Sequence, residues 1–395
     1  MAVKGVFATD QGVQATRIPD FVSGLIQVHP TGSAQMLALS AGLQRHAAKD
    51  TTITWFERTH DTGRVLVINN ATTGTTFTVS AAHATSIIAN QIYLVESTGE
   101  YILVSSISGV TVTVQRGIGP VGATTIDGSS TPVGIQLIGN AHEEGSAKPT
   151  SVAHLGAPVY NFTQIFRNAW DHTGTAKAVQ WHTGDQVAQN KADAGVYHSE
   201  AIERQLMWGV RTHGINNGQP WRTFNGLQAQ LTTNVTSQTI NGGDTRWADV
   251  NSWLQGIYEK NIKGKPNERV FFCGNGVMSV LNDIARLEGV MNLEPGTAEF
   301  GLQVKRWITP FGDMSLVTHP LFTESPHFTK DLVAWHPAAA KIRWLRATHN
   351  DNYDRDGSRA GVDADYGVVT SELSFEYDGE ATGGYFSGIN TAAAT

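Results

Sequence analysis

The sequence is short of cysteine, of charge and of long apolar runs. Its one cysteine, Cys273, excludes intrachain disulfides and a cysteine-cluster zinc site. It ends the apolar run Val270-Phe-Phe-Cys273, so a buried, inert thiol is expected. No stretch approaches the roughly 18 consecutive apolar residues of a membrane span. Residues 1–10 lack the apolar core of a secretory signal, so a protein made and kept in the cytosol, with no membrane partner, is expected. Charged residues make up 16% of the chain, against about 25% in an average soluble protein. Charge keeps a monomer's surface solvated, so a chain with little of it is expected to hide surface against neighbours. With 28 Lys+Arg against 35 Asp+Glu, the net charge of −7 opposes nucleic-acid binding by phosphate neutralisation. Aromatics at 9%, including 10 Trp, exclude a disordered chain. At about 150 residues per domain, 395 residues fit two or three domains.

Local catalytic and cofactor signatures are also missing. Gly117-Ile-Gly119-Pro-Val-Gly122 matches a dinucleotide-binding pattern after a strand, but turn residues follow where the mechanism needs a helix N-terminus. It reads as a Gly-rich loop. Asn352-Tyr-Asp354-Arg-Asp356-Gly357, continuing to Asp363, resembles a calcium loop without flanking helices, and reads as a solvated acidic turn. His142-Glu-Glu-Gly-Ser146 lacks the second histidine of a zinc protease, and the 14 His are scattered without ligand spacing. No nucleophile elbow or Walker loop occurs. Glu143 and Glu144 are adjacent, so on a strand they would point to opposite faces. No cofactor is expected. Asn70, Asn161 and Asn234 head glycosylation sequons that should go unused without a signal peptide.

Periodicity divides the chain. Residues 1–50 read as an arm leading into a helix at 33–44. From 51 the period is two: Thr51-Thr-Ile53-Thr-Trp55-Phe-Glu57 alternates as a strand. Between 64 and 137 six Thr- and Val-rich strands recur at roughly ten-residue spacing, the pattern of a small barrel or sandwich without a helix. Residues 185–209 form the best helix, with Asp185 as N-cap. Residues 212–244, rich in Gly, Asn and Thr, read as loop or irregular strand. A helix at 244–261 carries Trp247, Val250, Trp253, Leu254 and Ile257 on one face, and a strand at 268–273 leads into a helix at 276–287. Strands at 303–309, 314–319, 332–335, 341–345 and 368–377 complete an α+β chain.

Four stretches together resemble one family: Gly12-Val-Gln-Ala-Thr-Arg-Ile-Pro-Asp20 with His29-Pro-Thr31, Thr52-Ile-Thr-Trp-Phe-Glu57, Ile138-Gly-Asn-Ala-His-Glu-Glu-Gly-Ser146, and Val159-Tyr-Asn-Phe-Thr-Gln-Ile-Phe166. With the long helix and Val369-Thr-Ser-Glu-Leu-Ser-Phe-Glu376, they resemble the major capsid proteins of tailed bacteriophages, nearest the group of phage SU-ten. The resemblance implies the Hong Kong 97 fold. Residues 1–50 would be its N-terminal arm, 51–64 and 138–160 the two sides of its extended E-loop, and 65–137 an all-β insertion domain. Residues 161–225 and 336–395 would form the peripheral domain, with 185–209 as spine helix, and 226–335 the axial domain. The function implied is a major capsid protein assembling into hexamers and pentamers of an icosahedral shell around double-stranded DNA, held without sequence-specific contact. The chain would be made in the host bacterial cytoplasm and end in the virion. Its first partner would be itself, then a portal, with scaffold or decoration proteins in addition. An E-loop needs apolar anchors covered only in the assembly. Candidate contacts between subunits are Trp55, Phe56, Glu57, Arg58, Glu143, Glu144, Lys148, Tyr160 and Phe162. Some members of the wider fold carry a lysine–asparagine cross-link, for which Lys148, alone among residues 51–176, would be the candidate lysine. Two other readings stay open: a tail-tube or decoration subunit, and a soluble enzyme using residues 220–350.

Overall fold

A computed structural model describes residues 36, 46–71, 74–181, 184–238, 244–288, 293–294, 305–309, 311–353 and 363–390. The helix expected at 33–44 and most of the acidic turn at 352–363 lie outside the described residues. The chain divides into two compact units, one of Phe56–Pro158 and one of the remainder. The strands at the junction, β1 (Thr52–Glu57) and β8 (Ala157–Phe162), pair as a two-stranded sheet.

The smaller unit is a closed barrel. Its strands are β2 (Arg64–Val67), β3 (Thr76–Thr78), β4 (Gln91–Val95), β5 (Tyr101–Ser108), β6 (Thr111–Gln115) and β7 (Val133–Asn140). They are ordered β2-β7-β4-β5-β6-β3, every pair antiparallel. A bridge between Val67 and Val79 closes the ring, where Ile68 N–H donates to Thr78 O and Ser80 N–H to Leu66 O, both at 2.9 Å. Alternation decides which residues fill it: Val112 and Val114 point in, and the threonines between them point out. One helical turn, Ala81–Ala84, interrupts the strands.

Five charged residues lie between 64 and 137, and four are used within the unit. Arg64 pairs with Glu96 at 2.6 Å. Glu100 is fully buried and takes Arg116 in a bidentate pair at 2.9 and 2.5 Å. The same carboxylate accepts the Gly117 and Thr124 N–H groups, at 3.1 and 3.2 Å. This explains the Gly-rich loop: the backbone donors that could hold a phosphate already hold Glu100, and no helix follows them.

In the larger unit, β9 (Gln164–Thr173), β15 (Ala340–Tyr353) and β16 (Ala364–Tyr377) form a sheet ordered β15-β16-β9, with His46–Ala47 added in parallel at the β15 edge. A seven-stranded mixed sheet contains, in order, Val235–Ser237, β17 (Gly384–Ser387), β14 (Leu332–Trp335), β12 (Arg269–Cys273), β13 (Asp313–Thr318), Lys305–Ile308 and Leu293–Glu294. Strands β12 and β14 are buried on both faces, which is why they read as unbroken apolar runs. Phe272, Val333 and Trp335 enter a core shared with α1 (Gln186–Trp208) and the four-stranded sheet. Phe271, Cys273, Leu332 and Ala334 enter a second core under α2 (Trp247–Glu259) and α3 (Asn275–Glu288). Cys273 is the buried thiol expected.

The stretch expected to be irregular holds a regular hairpin, β10 (Thr212–Asn216) with β11 (Gln219–Thr223). Its turn is Asn217-Gly218, with φ of 49° and 76°, both in the left-handed region that a tight two-residue hairpin turn of this kind requires.

Two predictions follow the buried groups. Burial alone would raise the Glu100 pKa, but Arg116 and two backbone N–H groups hold the carboxyl below its ordinary 4.5. The stability it contributes is therefore present above about pH 4.5 and lost as pH falls through its folded value. Glu100→Gln removes the carboxylate charge opposite a buried guanidinium that keeps backbone carbonyls such as Thr124 O, and should destabilise the barrel by about 3 kcal/mol, read as lost hydrogen-exchange protection of β2–β7 in the full chain. His336, also buried, is pushed down to about 4 by burial first and then by the charges of Arg269 and Lys265. It stays neutral in the fold while the unfolded chain takes up a proton below its ordinary 6.5, so the larger unit should lose roughly 3 kcal/mol between pH 6.5 and 4. Its Nδ1 accepts the Ala338 N–H at 3.2 Å. His336→Asn can keep that bond and should flatten the pH dependence of urea unfolding.

Candidate functional site

Helix α1 begins where Asp185 accepts the Val187 and Ala188 N–H groups, at 3.0 and 3.1 Å. Midway along it, His198 Nδ1 lies 2.9 Å from Asn168 Oδ1, and Nε2 lies 2.7 Å from Ser371 Oγ. An amide oxygen only accepts, so Nδ1 donates and Nε2 takes the Ser371 proton, with Thr348 Oγ1 2.8 Å from the same Ser371 oxygen. The order serine–histidine–amide is that of an acyl-transfer triad. Here Ser371 is fully buried, so no substrate reaches it, and the group clamps α1 onto β9, β15 and β16. Burial holds the His198 pKa below its ordinary value, in keeping with the neutral ring. Further along, Glu203 Oε1 receives the Met36 N–H at 2.6 Å and His319 Nε2 at 2.8 Å, all buried. These are packing devices that spacing could not reveal, since their members lie from 23 to 173 residues apart on different elements.

The exposed surface has the opposite character. Every residue from 138 to 158 is exposed, and 146–156 form no regular element. Leu155 is 89% exposed. Glu143, Glu144 and Lys148 all lie on this segment, with no described ion-pair partner. Glu143 and Glu144 sit on a turn rather than a strand: Ser146 N–H donates to Glu143 O at 3.1 Å, and Gly145 has φ 75°. At the neighbouring strand, Phe56 is 75% exposed while Trp55 is only 9% exposed, so alternation turns one aromatic out and one in. Arg58 is exposed and Glu57 half-buried.

Tyr160 and Phe162 flank the start of the larger unit. Asn161 between them is buried and saturated: its Nδ2 donates to Asn225 O at 3.0 Å and Phe375 O at 2.8 Å, and its Oδ1 accepts the Asn225 N–H at 2.9 Å. Asn161 is therefore structural, and its sequon is closed to modification. Tyr160 and Phe162 meet edge-to-face at 5.7 Å, and Phe162 meets His213 of the hairpin at 5.6 Å. The Arg211 guanidinium lies 3.9 Å over the Tyr160 ring and donates to Tyr160 O. Residues Arg211, His213 and Arg222 were not foreseen from sequence, although Asn217-Gly218 marks the hairpin that presents them.

The family described as SU10 major capsid protein matches residues 6–390. The chain belongs to that family. This capsid protein is 27% identical to the major capsid protein of Pseudomonas phage PaMx41, over 94% of this chain and 92% of that one. In fold it is similar to the capsid of an empty GTA particle (TM-score 0.50, 7% identity, 98% of each chain). It is likewise similar to a chain of Mycobacterium phage Cain (TM-score 0.50, 8% identity, 99% of this chain and all of that one). The α+β architecture is that of the Hong Kong 97 capsid fold, and the protein is a major capsid protein that assembles with its own kind into the virion's shell. That membership is of a structural capsid protein and not of a tail-tube subunit.

Asn161→Ala removes four hydrogen bonds of the capsid protein, two to the Asn225 and Phe375 carbonyls and two from the Asn225 and Phe162 N–H groups, while the Asn225 carbonyl keeps Gln230 Nε2. The expected loss is about 2–3 kcal/mol in denaturant unfolding.

Proposed function

We propose that this capsid protein builds hexameric and pentameric rings of a closed icosahedral shell around double-stranded DNA, with residues 51–64 and 138–160 as the two sides of an E-loop laid on a neighbouring subunit. The observation that carries this reading is the unbroken exposure of residues 138–158, including Leu155. Beyond strand pairing at its two ends and exposed contacts such as His142 with Asn90 and His154 with Asp61, such a segment buries little against its own chain and is stabilised where another molecule covers it. Residues 65–137 act as an insertion domain on that loop, with an outer surface almost free of charge. Residues 1–50 serve as the arm, 161–225 and 336–395 as the peripheral domain, and 226–335 as the axial domain around the ring centre.

Phe56, Arg58, Glu143, Glu144, Lys148 and Tyr160 make contacts between subunits through exposed side chains, with Glu57 and Phe162 at the margin. Trp55 acts by packing the strand that presents Phe56. The shell joins a portal, assembles in the host cytoplasm with a scaffold or decoration protein as helper, and performs no catalysis. The net charge of −7 supports DNA held without specific contact. Many modest contacts suffice, because closure multiplies them.

Replacing residues 142–155 with a short Gly-Ser linker removes no buried contact. Unfolding of the subunit should stay within about 0.5 kcal/mol of the parent, while electron microscopy should find no closed shells. Shells of normal size from that variant would refute the loop's role.

A further inference from the structure

In an antiparallel hairpin, directly opposed residues share a face. His213 opposes Arg222, and Ile215 opposes Pro220, so one face of the β10–β11 hairpin carries His213, Ile215 and Arg222. The ring chain from His213 through Phe162 to Tyr160 extends that face to Arg211. It therefore presents the Arg211 guanidinium over the Tyr160 ring and Arg222 at the position opposite His213, with Ile215 78% exposed at the tip. Among the described residues no carboxylate pairs with either arginine, and Arg222 Nε is buried without a hydrogen-bond partner. A half-desolvated guanidinium beside apolar side chains calls for a carboxylate.

We infer that this face receives the acidic turn Glu143–Ser146 of a second copy of the chain. That turn offers what the face lacks: two consecutive carboxylates with no described ion-pair partner, displayed at a bend in a segment exposed throughout. Because Glu143 and Glu144 lie at a turn, the strand rule that would send them to opposite sides does not apply. Ion pairs formed there would be shielded from water by Tyr160, Phe162 and Ile215, which makes them stronger than open surface pairs. The inference rests on the shell-building reading above and names the surface that the loop meets.

A charge exchange tests it. E143K/E144K, in a fully exposed segment, should fold as the parent does; R222E provides the complementary change. Each should raise the protein concentration at which shells form by about tenfold or more. The combined variant should return it to within about threefold of the parent. A combined variant that assembles no better than the worse single variant, while the parent forms shells, overturns the inference. A parent that forms no shells overturns the shell-building reading itself and this inference with it. As an independent readout, oxidised shells of E144C/R222C should give a ladder of disulfide-linked subunits on non-reducing gels. Cys273 is fully buried and does not interfere. Monomer alone overturns the contact.

Discussion

The larger unit depends on two strands, Arg269–Cys273 and Leu332–Trp335, being covered on both faces. Each sends alternate side chains into different cores: Phe272, Val333 and Trp335 into one, Phe271, Cys273, Leu332 and Ala334 into the other. The first core ties the long helix and the four-stranded sheet to the seven-stranded one, and the second seats the helices 247–259 and 275–288. Apolar burial on this scale is non-directional, so polar groups set the register. His198 between Asn168 and Ser371, and Glu203 between Met36 and His319, fix where the helix lies on its sheets.

The barrel of the smaller unit, residues 64–137, solves the same problem with only five charged residues. It closes on itself, leaving no sheet edge to invite unwanted pairing. Four of the five charged residues between 64 and 137 are used in the Arg64–Glu96 and Glu100–Arg116 pairs. What faces outward is largely hydroxyl and methyl. Such a surface costs little to desolvate against a neighbouring molecule, which suits a subunit surrounded by copies of itself. The low charge of the whole chain thus has a location and a structural cause.

Between these regions, assembly capacity resides in what neither core covers. Residues 138–158 and the hairpin 212–223 carry exposed apolar groups, and among the described residues Glu143, Glu144, Lys148 and Arg222 have no ion-pair partner. Folding leaves them exposed, and in the proposed shell association covers them. A subunit whose own core consumed every apolar side chain would have nothing left with which to build a shell.

Short-range patterns determined much of this before any coordinates. Alternation placed the barrel strands within a few residues, Asp185 marked the start of the long helix, and the apolar run at Val270–Cys273 announced a strand with a buried thiol. The four quoted stretches pointed to the capsid family. The hairpin was also written locally, in Asn217-Gly218, but the polar, Gly-rich composition around it outweighed that signal. Only the tertiary structure decided which polar groups meet. Glu100 under the Gly-rich loop, Asn161 against Phe375, and Ser371 beside His198 join elements from 16 to 214 residues apart. It likewise decided that Trp55 turns in and Phe56 out, and that Arg222 stands without a carboxylate. Periodicity reports which way one element faces; what stands opposite is set by packing among distant elements, and that does not exist until the chain has folded.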